Sequence, residues 1–360
     1  MSVLNIILDQ YGLNETEQQG IIGALEIIGC NLNIEESNSN IEALDQFNNE
    51  LQKSILRPSG SERQQLGDKY AHDREQLTAL LSLFINELNS GNDLPSKILL
   101  GAAEKGVRER LDIIVELDLK GYNTQIVYPL GSERELWPLH EPLAAKLVSI
   151  MSNEKIEIID AKFNELFAKV LEMKDKRESH SDADLTKETN IARKNTVKYY
   201  TDKGITWPTE ANMMHYLITQ EYQKKLPNIK FIPVISAGNK LNNAGQIVRA
   251  DTYDTFVEMW KIHGEEITSS LGNASSIPMS IITIQPFGHY QQQQAIKAFH
   301  NKPIETSVVA MGVDPNQVNI ATIFDSLART IYAGKEIATE KLKMLDNSNP
   351  TKDHYPENEL

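Results

Sequence analysis

The chain predicts an α/β fold: a Rossmann-like, doubly wound parallel sheet of about five strands, with an N-terminal helical module and a helical insertion. Three observations carry the prediction. Short apolar runs at 97–101, 123–131, 229–236, 279–288 and 304–312 alternate with amphipathic stretches of helical length. Within these runs apolar residues stand on consecutive positions, as in strands buried on both faces. The first two end at Gly101 and Gly131, where a strand can turn tightly into the next element.

Residues 1–93 show helical patterns and no convincing strand. GIIGALEIIGCNL and HDREQLTALLSLFINEL repeat apolar residues every three or four positions, separated by the loop-like LRPSGSERQQLGD. At Lys97 the character changes. KILLG is a strand, AEKGVRERLDIIVELDLKG an amphipathic helix stopped by Gly121, and NTQIVYPLG a second strand. Residues 135–207 are too many for a simple crossover and read as a helical insertion with a solvated, charged middle in KDKRESHSDADLTKETNIARKN. The stretch VNIATIFDSLARTIYAGKEIATEKL predicts a helix that closes the α/β domain. The expected division is therefore a helical module at 1–93, an α/β domain at 94–345 and a disordered tail at 346–360.

Composition narrows the function. Against 36 Lys and Arg stand 50 Asp and Glu, a formal charge of -14, which opposes extended contact with nucleic acid or anionic lipid. One cysteine, Cys30, gives neither a disulfide framework nor a multi-cysteine zinc site, and reads as a small core residue. No metal site is expected and the cofactor is left unknown. The first run of apolar residues ends at Asp9, too short for a signal-peptide core, and no window approaches a membrane span, so a cytoplasmic protein is expected.

Ligands of open parallel sheets bind beyond the carboxyl ends of the strands, so the residues just past each run are the site candidates. After the first run, Gly101 and Ala102 permit close approach of a ligand to the backbone and to a helix N-terminus. There is no G-x-G-x-x-G or Walker pattern, hence no basis for nicotinamide or P-loop binding. After the second run, Gly131, Ser132, Glu133 and Arg134 form a polar turn offering a hydroxyl, a carboxylate and a guanidinium. Thr209 is placed as a helix N-cap with Glu210 in the first turn; the helix dipole alone accounts for Glu210, which can also hold a ligand hydroxyl or ammonium. In the long connection SAGNKLNNAGQIVRADTYDT, capping accounts for Asp251 or Thr252, and Asp254 comes within the same turn, whereas nothing structural requires Arg249. Gln285 and His289 close the fourth run. His289 and Glu210 form the expected acid–base pair, because imidazole titrates near neutral pH and a carboxylate can orient it.

Taken in order, ILLGAAEKGVRERLD, KGYNTQIVYPLGSER, PTEANMM, VRADTYDTFVEM and IITIQPFGHYQQQQAI resemble the YdcF/SanA/ElyC-like family of bacterial α/β domains, over about residues 97–330. The resemblance implies a Rossmann-like sheet with a polar pocket at its carboxyl edge, formed by Gly101, Gly131, Ser132, Glu210, Thr252, Asp254 and His289. Two departures matter. Gln292 stands where the family usually has arginine, and Val248 and Arg249 replace the acidic start of another motif, so Arg249 is the substitute anion contact. The resemblance also implies nucleotide-type ligands, S-adenosylmethionine among them; the family's envelope-maintenance members carry membrane anchors, a role not transferred to this chain.

The leading functional expectation is a small anionic or nucleotide-like ligand at the sheet edge, with or without catalysis. Two alternatives stand beside it. One is a protein-interaction scaffold working through residues 1–93 or 135–207. The other is S-adenosylmethionine binding, with Glu133 as the carboxylate after the second strand that would hold a ribose.

Overall fold

The structure is a computed structural model that describes residues 2–30, 34, 37–56, 60–176, 182–242 and 244–348. In chain order it contains α1 (Val3–Asp9), α2 (Glu15–Ile27), α3 (Asn40–Ser54), α4 (Gly60–Lys69), α5 (Arg74–Leu80), β1 (Leu88–Asn89), β2 (Ser96–Leu100), α6 (Glu104–Leu119), β3 (Ile126–Ser132), α7 (Leu143–Ser152), α8 (Ile156–Leu166), α9 (Ala168–Asp175) and α10 (Asp182–Asp202). Then come α11 (Glu210–Tyr216), β4 (Lys230–Phe231), β5 (Ile235–Ala237), β6 (Lys240–Leu241), β7 (Ile247–Val248), α12 (Thr252–Ser269), β8 (Ile277–Ile284), α13 (Gly288–Ala298), β9 (Ile304–Met311) and α14 (Ile320–Ser348).

The chain divides into two compact units, and the division is not linear. The first takes Met1–Leu88, Gln285–His300 and Ala310–Leu360; the second takes Asn89–Ile284 and Asn301–Val309. The N-terminal break falls between Leu88 and Asn89, ahead of the expected boundary at 93/94, and α13 and α14 group with the N-terminal helices and not with the sheet. The reason lies in the apolar stripe of α14. Ile320, Ile323, Phe324, Leu327, Ala328 and Ile331 recur every three or four residues and are buried in one core with Ile7, Leu8, Ile21, Leu44, Phe47 and Leu81. Cys30 packs at the margin of that core, as a small apolar residue would, and burial raises its thiol pKa. The helix starts are built locally: Asn14 and Glu17 make a reciprocal capping box, and Ser2 and Ser39 accept the N–H groups of Asn5 and Glu42. The expected tail lies mostly outside the described residues, and α14 continues through Ser348, beyond the expected start of that tail.

The second unit is built on a mostly parallel seven-stranded sheet, two strands more than expected, in the order β1-β9-β8-β2-β3-β4 with β5 also paired to β3. The pairs β2–β3, β2–β8, β3–β4 and β3–β5 are parallel. Numbering only the main strands by their place in the chain, the order is 3-2-1-4-5, that of dinucleotide-binding folds, and it reverses between β2 and β8. β2 and β3 are buried along nearly their whole length, which matches their continuous apolar sequence. The exception, Lys97, is fully buried and donates to the carbonyls of Gly91 and Asn92 at 2.6 and 2.8 Å, so its ammonium closes the loop ahead of β2. In the insertion, Phe163, Tyr200 and Trp207 pack ring on ring in the unit's main core. Of the charged middle at 174–195, residues 177–181 lie outside the described residues, while the start ends α9 and residues 182–195 belong to the helix α10.

Candidate functional site

At the end of β2 the Gly101 N–H donates to the Leu130 carbonyl at 2.6 Å. A Cβ at this position would collide with Oε1 of Glu210 and lie 3.0 Å from the Leu130 oxygen, so the carboxylate occupies the space that any side chain at 101 would need. Glu210 is placed by two local devices. Thr209 caps α11 in a box with Asn212, and the segment ahead of it pairs with the end of β3: Glu210 N–H to Arg134 O at 2.8 Å, Leu136 N–H to Pro208 O at 3.0 Å, and a bridge between Glu135 and Thr209. Gly131 serves this junction from behind. A Cβ there would meet Ala211 Cα at 3.1 Å, so glycine lets α11 lie close to β3.

The carboxylate of Glu210 accepts from Ser132 Oγ at 3.3 Å and from Arg134 Nε at 3.1 Å. Arg134 in turn makes a two-pronged pair with Glu141, at 2.8 and 2.7 Å, and donates to the Ala102 carbonyl at 3.2 Å. Glu141 also accepts the N–H groups of Trp137 (2.7 Å) and Glu104 (3.2 Å). Burial works against the charge on both partners, yet the pair outweighs it: Arg134 is held above its ordinary value and Glu141 below it. Behind them Arg110 is wholly buried, with its guanidinium on the carbonyls of Leu100 and Gly101 at 2.8 and 2.6 Å; desolvation pushes its pKa down to about 10. The sheet edge is thus a preorganised ionic lattice.

Over this lattice opens a cavity of about 410 Å³. Its lining includes Gly101, Ala102, Ser132, Arg134 and Glu210, the loop residues Trp137, His140 and Glu141, and the chain entering α12: Arg249, Asp251, Thr252 and Thr255. Asp251 is the N-cap of α12, sharing a capping box with Asp254 and pairing with Lys240 at 3.2 Å. Arg249 is different. It is exposed and has no hydrogen-bond or ion-pair partner among the described residues.

The structure therefore brings together Gly101, Ala102, Ser132, Arg134, Glu210, Arg249 and Thr252, and leaves six expected residues off the cavity wall. Gly131 packs α11 against β3. Glu133 accepts from the Asn239 N–H at 3.4 Å and does not line the cavity, so the carboxylate expected for a ribose is not on its wall. Asp254 is used in capping and in a 2.5 Å pair with Lys240. Gln285, His289 and Gln292 belong to the first unit. β8 stops at Ile284, and the Gln285 amide is taken up by the carbonyls of Leu83 and Asn86, both at 2.9 Å. His289 is partly buried, edge-on against Phe84 with ring centroids 5.8 Å apart, and desolvation lowers its pKa. Of the expected acid–base pair, Glu210 lines the cavity and His289 does not; the two residues belong to different units.

Among the lining residues absent from the expected set, Trp137, His140 and Glu141 come from one stretch, WPLHEP, after β3. The sequence does hold a signal there, a Trp ahead of one proline and a His and a Glu between it and the next, just beyond a strand's carboxyl end. Assigning everything after residue 134 to an insertion hides it. No group of three or more His, Cys, Asp or Glu among the described residues is arranged to hold a metal ion.

Fold and cavity together define an α/β protein of Rossmann-like strand order with a ligand-sized polar cavity at the carboxyl edge of its parallel strands. No family model, curated protein or solved structure matches the chain. No helix among the described residues is long and apolar enough to cross a membrane.

Proposed function

We propose that the cavity binds a small anionic, nucleotide-like ligand, as a binding protein or as an enzyme whose reaction the lining residues do not specify. The observation that carries this reading is Arg249. The Arg134 guanidinium and the lining carboxylates all have partners of their own, and a guanidinium left over at the mouth of a 410 Å³ polar cavity is the natural counter-charge for an anion. Thr252, the first residue of α12, adds backbone and hydroxyl donors beside it. Ser132 and Glu210 offer acceptors for ligand hydroxyls. The resemblance of the strand-end motifs to the YdcF/SanA/ElyC-like family supports the same reading and includes S-adenosylmethionine among the ligands worth testing. Cytoplasmic residence belongs to this proposal.

The test is a thermal-shift screen of the purified chain with nucleoside monophosphates, sugar phosphates and S-adenosylmethionine at concentrations up to about millimolar. A ligand held as described raises Tm in the wild type and not in Arg249→Gln; saturating by 100-fold over Kd corresponds to about 2.7 kcal/mol of stabilisation. No shift with any of the three classes contradicts the reading.

A protein contact through the insertion is a second reading, favoured by one observation: Ile150, Met151, Ile156 and Ile158 are all exposed within nine residues around the α7–α8 turn. Light scattering of the wild type and of Ile150→Ser/Ile158→Ser checks whether this patch joins copies of the chain. A monomeric wild type excludes that form of contact.

A further inference from the structure

The cavity wall holds a second side chain with no hydrogen-bond or ion-pair partner among the described residues. His140 is exposed, and no hydrogen bond to its ring is found among the described residues. It is nevertheless firmly placed. The loop that carries it is closed on itself by His140 N–H and Glu141 N–H donating to the Trp137 carbonyl at 3.3 and 3.0 Å, and anchored at both ends by the Glu141 carboxylate, through the Trp137 N–H and Arg134. Leu139, directly before it, sits in the left-handed region at φ 66°, where a leucine is strained, and its side chain remains 38% exposed. The His140 ring rests edge-on against Trp137 with centroids 6.2 Å apart. The far partner of that tryptophan is Arg193, 4.7 Å from its ring and paired with Glu135. A strained, tied loop that carries an imidazole free of side-chain hydrogen bonds among the described residues on a cavity wall is a presenting device.

We propose that His140 is the second cationic contact for the ligand's anionic group, taking up a proton as the anion enters, so that the site selects oxyanions such as phosphate or sulfate and holds them more tightly as pH falls. The inference rests on the cavity reading above, with Arg249 as the fixed charge and His140 as the conditional one. In the free protein, desolvation and the Lys174 ammonium pull the imidazole below its ordinary value, with Glu141 opposing them. An anion brought into the same cavity reverses that balance, and linkage then requires that binding and protonation assist each other equally.

The test is calorimetric titration with inorganic sulfate, which does not itself titrate in this range, at pH 5.5, 6.5 and 7.5. Wild type is expected to bind sulfate about fivefold or more tightly at pH 5.5 than at 7.5, with net proton uptake revealed by buffers of different ionisation enthalpy. His140→Gln is expected to keep the wild type's pH 7.5 affinity at all three values, and Arg249→Gln to lose binding throughout. If the wild-type affinity is flat with pH, or if His140→Gln keeps the wild-type slope, His140 is not the conditional charge while the cavity reading stands. If Arg249→Gln binds like wild type, or if wild type binds no sulfate up to about 50 mM, the cavity reading fails and this inference with it.

Discussion

At the residue scale, the site depends on how completely its charges are compensated. Glu141 receives four N–H donors, two from the Arg134 guanidinium and one each from Trp137 and Glu104, inside a wall where it is 2% exposed. Removing that charge leaves a largely buried guanidinium with one carboxylate in place of two. Glu141→Gln is expected to cost about 3–5 kcal/mol in chemical denaturation. A loss below about 1 kcal/mol, the scale of an exposed pair, contradicts the lattice. His289 makes a separate, pH-dependent prediction. Its pKa in the folded state lies below the ordinary value, so the unfolded chain takes up the proton first. The stability it contributes is therefore complete above about pH 6.5 and lost as pH falls from there through the folded pKa. Denaturation midpoints at pH 7.5 and 5.5 are expected to differ more in wild type than in His289→Gln. An equal slope in both assigns the effect to another group.

At the element scale, the strands and most helices are legible because their signals are local. Consecutive apolar residues in KILLG and IVYPLG read as buried strands and are β2 and β3; Thr209 reads as an N-cap and caps α11. Sequence alone does not choose between Asp251 and Thr252 as the cap of α12, and the side chain that accepts the N3 amide is that of Asp251. The features that are not legible depend on partners distant in sequence. The stretch from Gln285 to Gln292 looks like a site because it comes after a strand, but Gln285 bonds Leu83 and Asn86, and the next residue along, Gln293, donates to the Tyr11 carbonyl at 3.3 Å, contacts 199 to 282 residues away that no local pattern announces. Conversely, Arg134 reads as a ligand contact because a guanidinium in a polar turn looks free. It is consumed by Glu210 and Glu141, the second of which lies in a segment that reads as an insertion. Arg249 stands out by elimination, as the residue capping does not explain, and it has no hydrogen-bond or ion-pair partner among the described residues.

At the scale of the whole molecule, the helical module read from residues 1–93 is not self-sufficient. Its core is completed by α14, which supplies Ile320, Ile323, Phe324, Leu327, Ile331 and Leu342 from the other end of the chain. Each such buried side chain is worth roughly 1.5–3 kcal/mol of transfer free energy, together comparable to the usual net stability of a domain. A fragment of residues 1–93 is accordingly expected to lack cooperative thermal unfolding. A cooperatively folded fragment contradicts the shared core. Phe324→Ala in the full chain is expected to cost about 3–5 kcal/mol in the transition reporting on the helical unit.

The most direct test of the central claim is a crystal of the chain grown with a nucleoside monophosphate or sulfate. Density for the anion is expected in the cavity, within about 3 Å of the Arg249 guanidinium, as charge-assisted hydrogen bonding requires. An empty cavity at saturating ligand, or an anion bound elsewhere with Arg249 left in solvent, contradicts it.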